Sequence, residues 1–150
     1  MDAPAPVLAK LVDMGSPTDR QSLANEVAMY QRLDGTRITP AFHGHVVDEE
    51  GRAIGFLLEY IVFEKHKDAA RRQHGRQSLQ ACMAVLSRLH DEHGVAHGDP
   101  HDGNCLVRND GSAVLIDFEL AEENAAPAER ARDKRILERC IRSLSGQVTV

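Results

Sequence analysis

The segment from Val95 to Asn104, VAHGDPHDGN, concentrates side chains that could carry out chemistry. Between His97 and Asn104, eight residues include two histidines, two aspartates and one asparagine. Three kinds of structure fit such a run: a cluster of metal ligands, an acid/base site, or a polar turn. A polar turn is a possible interpretation because Gly-Asp-Pro and Asp-Gly sequences are common turn formers. The surrounding sequence has to decide among the three.

A carboxylate further along the chain favours a site that binds phosphate through a metal ion. Asp117 directly follows the apolar run Val114-Leu115-Ile116. The turn sequence Asn109-Asp110-Gly111 predicts a hairpin, so Asn104 and Asp117 are expected at neighbouring strand ends with their oxygens converging. An amide oxygen and a carboxylate suit Mg²⁺ held partly by substrate phosphates, and Asp99 could orient a substrate hydroxyl.

The histidines offer an alternative metal site. His93, His97 and His101 recur every four residues, so on a helix they would share one face and, with Asp99, could bind zinc. Two glycines and a proline stand among them, however, and these residues interrupt a helix. His97 and His101 are therefore expected to brace a loop by hydrogen bonds rather than to bind zinc.

The same residues resemble the protein-kinase-like superfamily. HGDPHDGN resembles its catalytic loop, in which His-x-Asp is followed by Asn five residues after the Asp, and IDFE resembles its metal-binding Asp-Phe-Gly. The glycine after His97 and the histidine at 101 are closer to aminoglycoside and choline-type phosphotransferases and small atypical kinases. With LHDEHGVAHGD and GFLLEYI, the chain resembles short kinase-like proteins of fungi. The tail ERARDKRILERCIRSL resembles the terminal helix of RIO- and KEOPS-type kinases. The likeness spans residues 7–145 and is specific from Leu89 to Phe118.

The resemblance implies a phosphate-binding lysine on a strand, held by a glutamate on the next helix. VLAK resembles the strand motif and identifies Lys10. Glu26 lies in an apolar helical stripe, where a carboxylate is costly unless it is paired, so Lys10 is its expected partner. The other members of the stripe are Leu23, Val27, Tyr30 and Leu33.

The resemblance also implies an ATP- and Mg²⁺-dependent phosphotransferase that acts on a hydroxyl group. Asp99 would position the acceptor hydroxyl and accept its proton, while Asn104 and Asp117 would hold Mg²⁺. The hinge Glu59-Tyr60-Ile61 would present its backbone to the adenine. Catalysis of this kind rests on positioning and charge neutralisation. The acceptor, a small molecule or a protein, is not indicated by the sequence.

Two departures from the kinase pattern leave a second hypothesis open. The nine residues before Lys10, MDAPAPVLA, contain no glycine and cannot form the glycine-rich hairpin that covers ATP. ATP would then be held without that lid, or under one supplied by another chain, or not productively. Glu119 replaces the glycine of Asp-Phe-Gly, which restricts the backbone and adds negative charge close to the metal. A pseudokinase, a nucleotide-binding or scaffold module without phosphotransfer, is therefore the alternative.

Composition and length set the class of protein. The chain has 150 residues, of which 42% are hydrophobic and 27% charged, as expected for one soluble domain. Its net charge of −5 argues against nucleic acid as a main partner. Neither a signal sequence nor an apolar run of membrane-spanning length is present, which predicts a cytoplasmic or nuclear location. Cys82, Cys105 and Cys140 are expected to be reduced packing residues.

The order of predicted elements indicates an α+β fold with two separate small sheets. We expect a kinase-like fold of two lobes, with a truncated N-lobe sheet (1–62), a connector (63–76) and a truncated C-lobe (77–150). The exposed edge of the first strand predicts a possible homodimer. The predicted elements are a strand at 7–12, a helix from the Ser16 cap to Leu33, a hairpin of 42–48 and 54–62, a helix at 77–92, a hairpin of 105–107 and 113–116, and a helix at 127–144.

Overall fold

The structure is a computed structural model that describes residues 3–62 and 70–145. It confirms the α+β class, with one three-stranded sheet, one two-stranded sheet and three helices in the described ranges. The elements are β1 (Val7–Leu11), α1 (Pro17–Leu33), β2 (Phe42–Val47), β3 (Ala53–Glu59), α2 (Ala70–His93), β4 (Cys105–Val107), β5 (Ala113–Leu115) and α3 (Pro127–Ser145), with a short 3-10 turn at Asp102–Asn104.

The N-terminal sheet is antiparallel with β3 at its centre, in the order β1-β3-β2. Lys10 lies opposite Phe56 in the pairing of β1 with β3. A Cβ atom at Gly55 would lie 2.2 Å from the carbonyl oxygen of Lys10, so only glycine permits this close approach of the two strands. Gly55 thus contributes to the position of Lys10.

Helix α1 begins where the sequence predicted. The Ser16 side chain accepts a hydrogen bond from the backbone N–H of Asp19, and Pro17 occupies the first helical position. The buried face of the helix consists of Leu23, Glu26, Met29, Tyr30 and Leu33. Glu26 is therefore carried into the interior by the same helical periodicity that buries its apolar neighbours.

The second half of the chain packs α2 and α3 together with the β4-β5 hairpin. Leu86, Leu89, Leu115, Phe118 and Leu137 are among its fully buried side chains. Helix α2 begins at Ala70, within the stretch predicted as a connector, whereas residues 63–69 of that connector lie outside the described part of the chain. Over the described ranges, none of the helices combines the length and apolarity that a membrane crossing requires.

The expectation that all three cysteines are reduced is wrong for two of them. Cys82 on α2 and Cys105 on β4 form a disulfide across a sequence separation of 23 residues, while Cys140 is free. The two sulfurs meet because α2 packs on β4, a tertiary contact that the wide spacing of the cysteines does not signal. The disulfide ties the residue after Asn104 to the long helix.

Strand β1 is at the edge of its sheet, as the sequence predicted. No described strand pairs with its outer side. Val7, Leu8 and Leu11 expose about half of their surface or more, at 47%, 46% and 61%. An apolar strand edge of this kind can pair with another chain, and the homodimer stays a prediction.

Candidate active site

The lysine of β1 contacts two carboxylates. Lys10 Nζ lies 2.7 Å from Glu26 Oε2 and 2.7 Å from Glu119 Oε1. Glu26 is on the buried face of α1, with only 2% of its side chain exposed, whereas Lys10 and Glu119 are exposed at 35% and 43%. The structure therefore brings together the predicted Lys10–Glu26 pair and adds Glu119, which lies 109 residues from Lys10 along the chain.

The protonation of this group follows from burial and pairing. Burial lowers the pKa of Lys10, but the hydrogen bonds with Glu119 and Glu26 outweigh it, so the net pKa is raised and the ammonium form is favoured. Burial raises the pKa of Glu26, and the hydrogen bond from Lys10 opposes that rise. Glu26 thus depends on the ammonium of Lys10 for its negative charge.

The Asp117 side chain enters the same region from the segment after β5. One carboxylate oxygen from each of Glu26, Asp117 and Glu119 lies within 4.8 Å of the other two. Asp117 has a φ of 64°, a left-handed conformation that is uncommon for residues other than glycine. Backbone strain of this kind concentrates at functional sites, where surrounding contacts maintain it.

One hydrogen bond and two ring contacts maintain the conformation at Asp117. The backbone N–H of Asp117 donates to the hydroxyl of Tyr30 at 3.0 Å. The Phe118 ring packs between Tyr30, at a centroid distance of 5.4 Å, and His97, at 4.8 Å. Tyr30 was predicted only as part of an apolar stripe. Its hydroxyl links α1 directly to the acidic segment, residues 117–119.

His97 braces the loop, as the sequence predicted. Its Nε2 lies 2.8 Å from the carbonyl oxygen of Ile116, and its Nδ1 lies 3.2 Å from the backbone nitrogen of Asp99. Because a backbone N–H can only donate, Nδ1 is the acceptor and Nε2 carries the proton of a neutral ring. Burial lowers the pKa of His97, which is consistent with that neutral form.

The next residue in the loop has to be glycine. Gly98 has a φ of 88°, and a Cβ atom there would lie 2.3 Å from the carbonyl oxygen of Leu120. A side chain would therefore be excluded both by backbone conformation and by the close segment that follows Glu119. The glycine of the His-Gly-Asp sequence thus lets the loop and the acidic segment pack together.

Asp133 of α3 accepts hydrogen bonds from the backbone of the loop and was not predicted as a site residue. Its Oδ2 accepts from the backbone N–H of His97 at 2.7 Å, and its Oδ1 accepts from Gly98 N–H at 3.0 Å. Oδ2 also lies 2.9 Å from Nε2 of His90. Asp133 is 1% exposed, so these bonds compensate a buried carboxylate. In the sequence, the signal for the burial of Asp133 was its position four residues before Leu137, which places both on one helical face. The highly charged residues around Asp133 obscured that signal.

Asp99 lies in the middle of the loop and Asn104 at its end. The Asn104 side-chain amide donates to the Asp99 carbonyl oxygen at 2.9 Å, a bond that uses the amide nitrogen and not the side-chain oxygen. Ile116 N–H donates to the Asn104 carbonyl oxygen at 3.0 Å, so Asn104 adjoins the segment that carries Asp117. The Asp99 carboxylate is 47% exposed and 3.6 Å from His101 Nε2, where a substrate can reach it.

The predicted hinge begins at Glu59, the last residue of β3, and leads to the second half of the chain. The Glu59 carboxylate is held by Arg108, with Arg108 Nη2 2.9 Å from Glu59 Oε2, and the hydrogen bonds from Arg108 lower the pKa of Glu59. Glu59 therefore has a structural role through its side chain. Among the described residues, no hydrogen bond engages the backbone of Tyr60 or Ile61, so those backbone groups can contact a ligand.

The donor atoms near Asp117 fit a hard divalent cation. Lys10 engages Oε2 of Glu26 and Oε1 of Glu119, so the donors left for an ion are Asp117, the second oxygen of Glu119 and the side-chain oxygen of the adjoining Asn104. Oxygen donors of this type suit Mg²⁺, which keeps several waters and binds one or two carboxylates beside substrate phosphates. The three histidines that were weighed as an alternative zinc site have separate surroundings: His97 lies against Ile116, His101 beside Asp99 and His93 beside Glu92.

Comparison with protein families gives one match. A family model described as ABC1 atypical kinase-like domain matches residues 56–143, which run from β3 into α3 and include the whole loop and the acidic segment. No curated protein matches the chain significantly. Lys10 and Glu26 lie before the matched region, so their place in the site rests on geometry.

Proposed function

Because the chain belongs to the ABC1 atypical kinase-like domain family, we propose that it is an ATP- and Mg²⁺-dependent phosphotransferase that acts on a hydroxyl group. The observation that carries this proposal is the convergence of Lys10 and Glu26 on Asp117, from elements far apart in the chain. A buried carboxylate paired with a lysine beside a second carboxylate is the arrangement that phosphate and metal binding require.

In this proposal the nucleotide lies between the two halves of the molecule. Lys10, held by Glu26, binds the phosphates, and the backbone of Tyr60 and Ile61 contacts the adenine. Asp117 and Asn104 hold Mg²⁺, which neutralises charge on the phosphates.

Asp99 positions the acceptor and takes part in the transfer. Its exposed carboxylate orients the acceptor hydroxyl and accepts the proton as the oxygen forms a bond to the γ-phosphorus. The bond from the γ-phosphorus to the β,γ-bridging oxygen breaks, and ADP leaves with that oxygen. The rate then depends on alignment and on charge stabilisation at the transferring group.

The alternative is a nucleotide-binding or scaffold module without transfer, and one contact favours it. Glu119 occupies the exposed side of Lys10, where a phosphate would have to bind. The kinship with fungal, aminoglycoside- and choline-type or RIO- and KEOPS-type kinases, and the cytoplasmic or nuclear location, stay predictions.

Thermal unfolding with ATP tests nucleotide and metal binding together. ATP with Mg²⁺ should raise the melting temperature of the wild-type chain in proportion to RT ln(1 + [L]/Kd). Asp117→Asn should remove the part of the rise that requires Mg²⁺, whereas Asp91→Asn, on the exposed side of α2, should behave as wild type. An unchanged melting temperature at millimolar ATP would contradict the proposal.

Transfer of labelled γ-phosphate to a panel of alcohols, sugars and hydroxyl-containing peptides separates the two functions. Transfer to any member supports the enzyme and identifies its class of acceptor. A nucleotide-dependent rise in melting temperature with no transfer to any acceptor, including water, supports the binding module.

A further inference from the structure

The two carboxylates on Lys10 differ in their freedom to move. Glu26 is buried at 2% exposure and would be left as an unpaired interior charge if it lost Lys10. Glu119 is 43% exposed, and among the described residues its carboxylate pairs with Lys10 alone. When a phosphate binds Lys10, Glu119 is therefore the contact that gives way.

We propose that Glu119 makes the site selective for metal-bound over metal-free nucleotide, by occupying the phosphate position on Lys10 until a divalent cation accompanies the phosphates. This inference rests on the proposed function, because it concerns the same nucleotide site. It assigns a specificity-determining role to a residue that stands where the kinase pattern has glycine.

The charges around Lys10 supply the physical reason. One ammonium (+1) faces the carboxylates of Glu26, Asp117 and Glu119 (−3), so the ionised group has a net charge of −2. A metal-free triphosphate must approach this negative charge and must also displace Glu119 from Lys10. Both steps are unfavourable at short range in a partly desolvated site.

A divalent cation changes both steps. It offsets the net charge of −2, and it gives the displaced carboxylate a new partner. Because an oxygen of Glu119 already lies within 4.8 Å of an oxygen of Asp117, Glu119 can interact with a cation held by Asp117 after a side-chain rotation alone. The cost of releasing Glu119 from Lys10 is thus offset when the nucleotide carries its metal.

Calorimetric titration with ATP, in EDTA and in excess Mg²⁺, tests this inference without measuring transfer. Wild type should bind ATP far more weakly in EDTA than in Mg²⁺. Glu119→Gln removes the charge and keeps the shape, so its affinity for metal-free ATP should rise about tenfold while its affinity for ATP with Mg²⁺ changes less. Glu119→Gly should show the same direction.

The matched control is Glu123→Gln, which removes another exposed carboxylate from an ion pair, that with Arg32. It should leave both affinities at the wild-type values. The same ratio of affinities in Glu119→Gln as in wild type would overturn the inference and leave the proposed function standing. If wild type binds no ATP even with Mg²⁺, the proposed function and this inference both fall.

Discussion

At the scale of single residues, the Asp99 carboxylate does not share the partners of the group formed by Lys10, Glu26, Asp117 and Glu119. The Asp99 carboxylate is 47% exposed, and it lies beside the His101 ring rather than beside Lys10. The backbone of Asp99, in contrast, is held by His97 and Asn104. The loop therefore positions the Asp99 carboxylate through hydrogen bonds to the Asp99 backbone, and the carboxylate itself is not needed for those bonds.

This separation predicts that Asp99→Asn abolishes transfer and spares nucleotide binding. The amide keeps the size of the side chain but cannot accept the proton, so the transfer rate should fall by about 10²-fold or more. Asp102→Asn, in the same loop with 73% of its side chain exposed, is the matched control and should keep wild-type transfer. Wild-type transfer by Asp99→Asn would show that Asp99 does not have the role proposed for it.

At the scale of elements, α3 acts on the loop through one buried side chain. Asp133 joins the backbone of His97 and Gly98 to the helix, so the loop is held by α3 as well as by its own turn residues. The charged surface of α3 hides this contact in the sequence. The buried side of α3 becomes evident only when Asp133 and Leu137 are recognised as lying on one face of the helix.

Asp133→Ala should lower the free energy of unfolding by about 3 kcal/mol, because it leaves the buried N–H of His97 and the partly buried N–H of Gly98 without a partner. Chemical denaturation measures this, with Glu138→Gln on the exposed side of α3 as the control, for which a change below about 0.5 kcal/mol is expected. In Asp133→Asn, which keeps one acceptor oxygen, transfer should fall while the affinity for ATP is retained. A stability of Asp133→Ala equal to that of the control would contradict the positioning role.

The disulfide is a second link between elements. Cys82 and Cys105 join α2 to β4, and the bridge closes a loop that contains the whole segment from His90 to Asn104. In the chain-entropy account, a loop of this length restricts the unfolded chain by about 3 kcal/mol.

Replacement of both cysteines by serine should therefore lower the free energy of unfolding by about 3 kcal/mol, measured by denaturation under oxidising conditions. Reduction of the wild-type protein should have a similar effect. Cys140→Ser, at the free cysteine, keeps the bridge, so it should be as stable as the oxidised wild type and should lose the same stability on reduction. Equal stability of the oxidised wild type and the double variant would show that the bridge does not stabilise the fold.

At the scale of the whole molecule, the two halves meet around buried polar groups, and this makes stability depend on pH. Burial lowers the pKa of His97, although the carboxylates of Asp133, Asp117 and Asp99 oppose the shift. The folded state therefore binds fewer protons at this ring than the unfolded state does. By linkage, stability falls as the pH drops below about 6.5, the ordinary histidine value.

We expect the free energy of unfolding to decrease between pH 7.5 and pH 5.5, by up to about 1.4 kcal/mol for each pH unit that His97 resists protonation. His97→Gln, which retains a donor for Ile116, should show a smaller decrease over the same interval. Denaturation curves at both pH values measure the difference. A decrease as large in His97→Gln as in wild type would assign the pH dependence to other groups.

The sequence by itself determined the local features of this protein. The cap at Ser16, the hairpin around Asn109-Asp110-Gly111 and the spacing of Asp99 and Asn104 in one loop follow from interactions between residues close in the chain. Such signals are local because turn and capping chemistry involves neighbouring backbone groups.

Only the tertiary structure decided which distant residues meet. The contact of Lys10 with Glu119, the burial of Asp133 and the bridge from Cys82 to Cys105 depend on how the helices and sheets pack. A charged residue or a cysteine has the same local preferences whether it lies in solvent or in a core. Tertiary packing determines which partner such a residue meets. The partner then determines whether a side chain is ionised or a cysteine is disulfide-bonded in the folded protein.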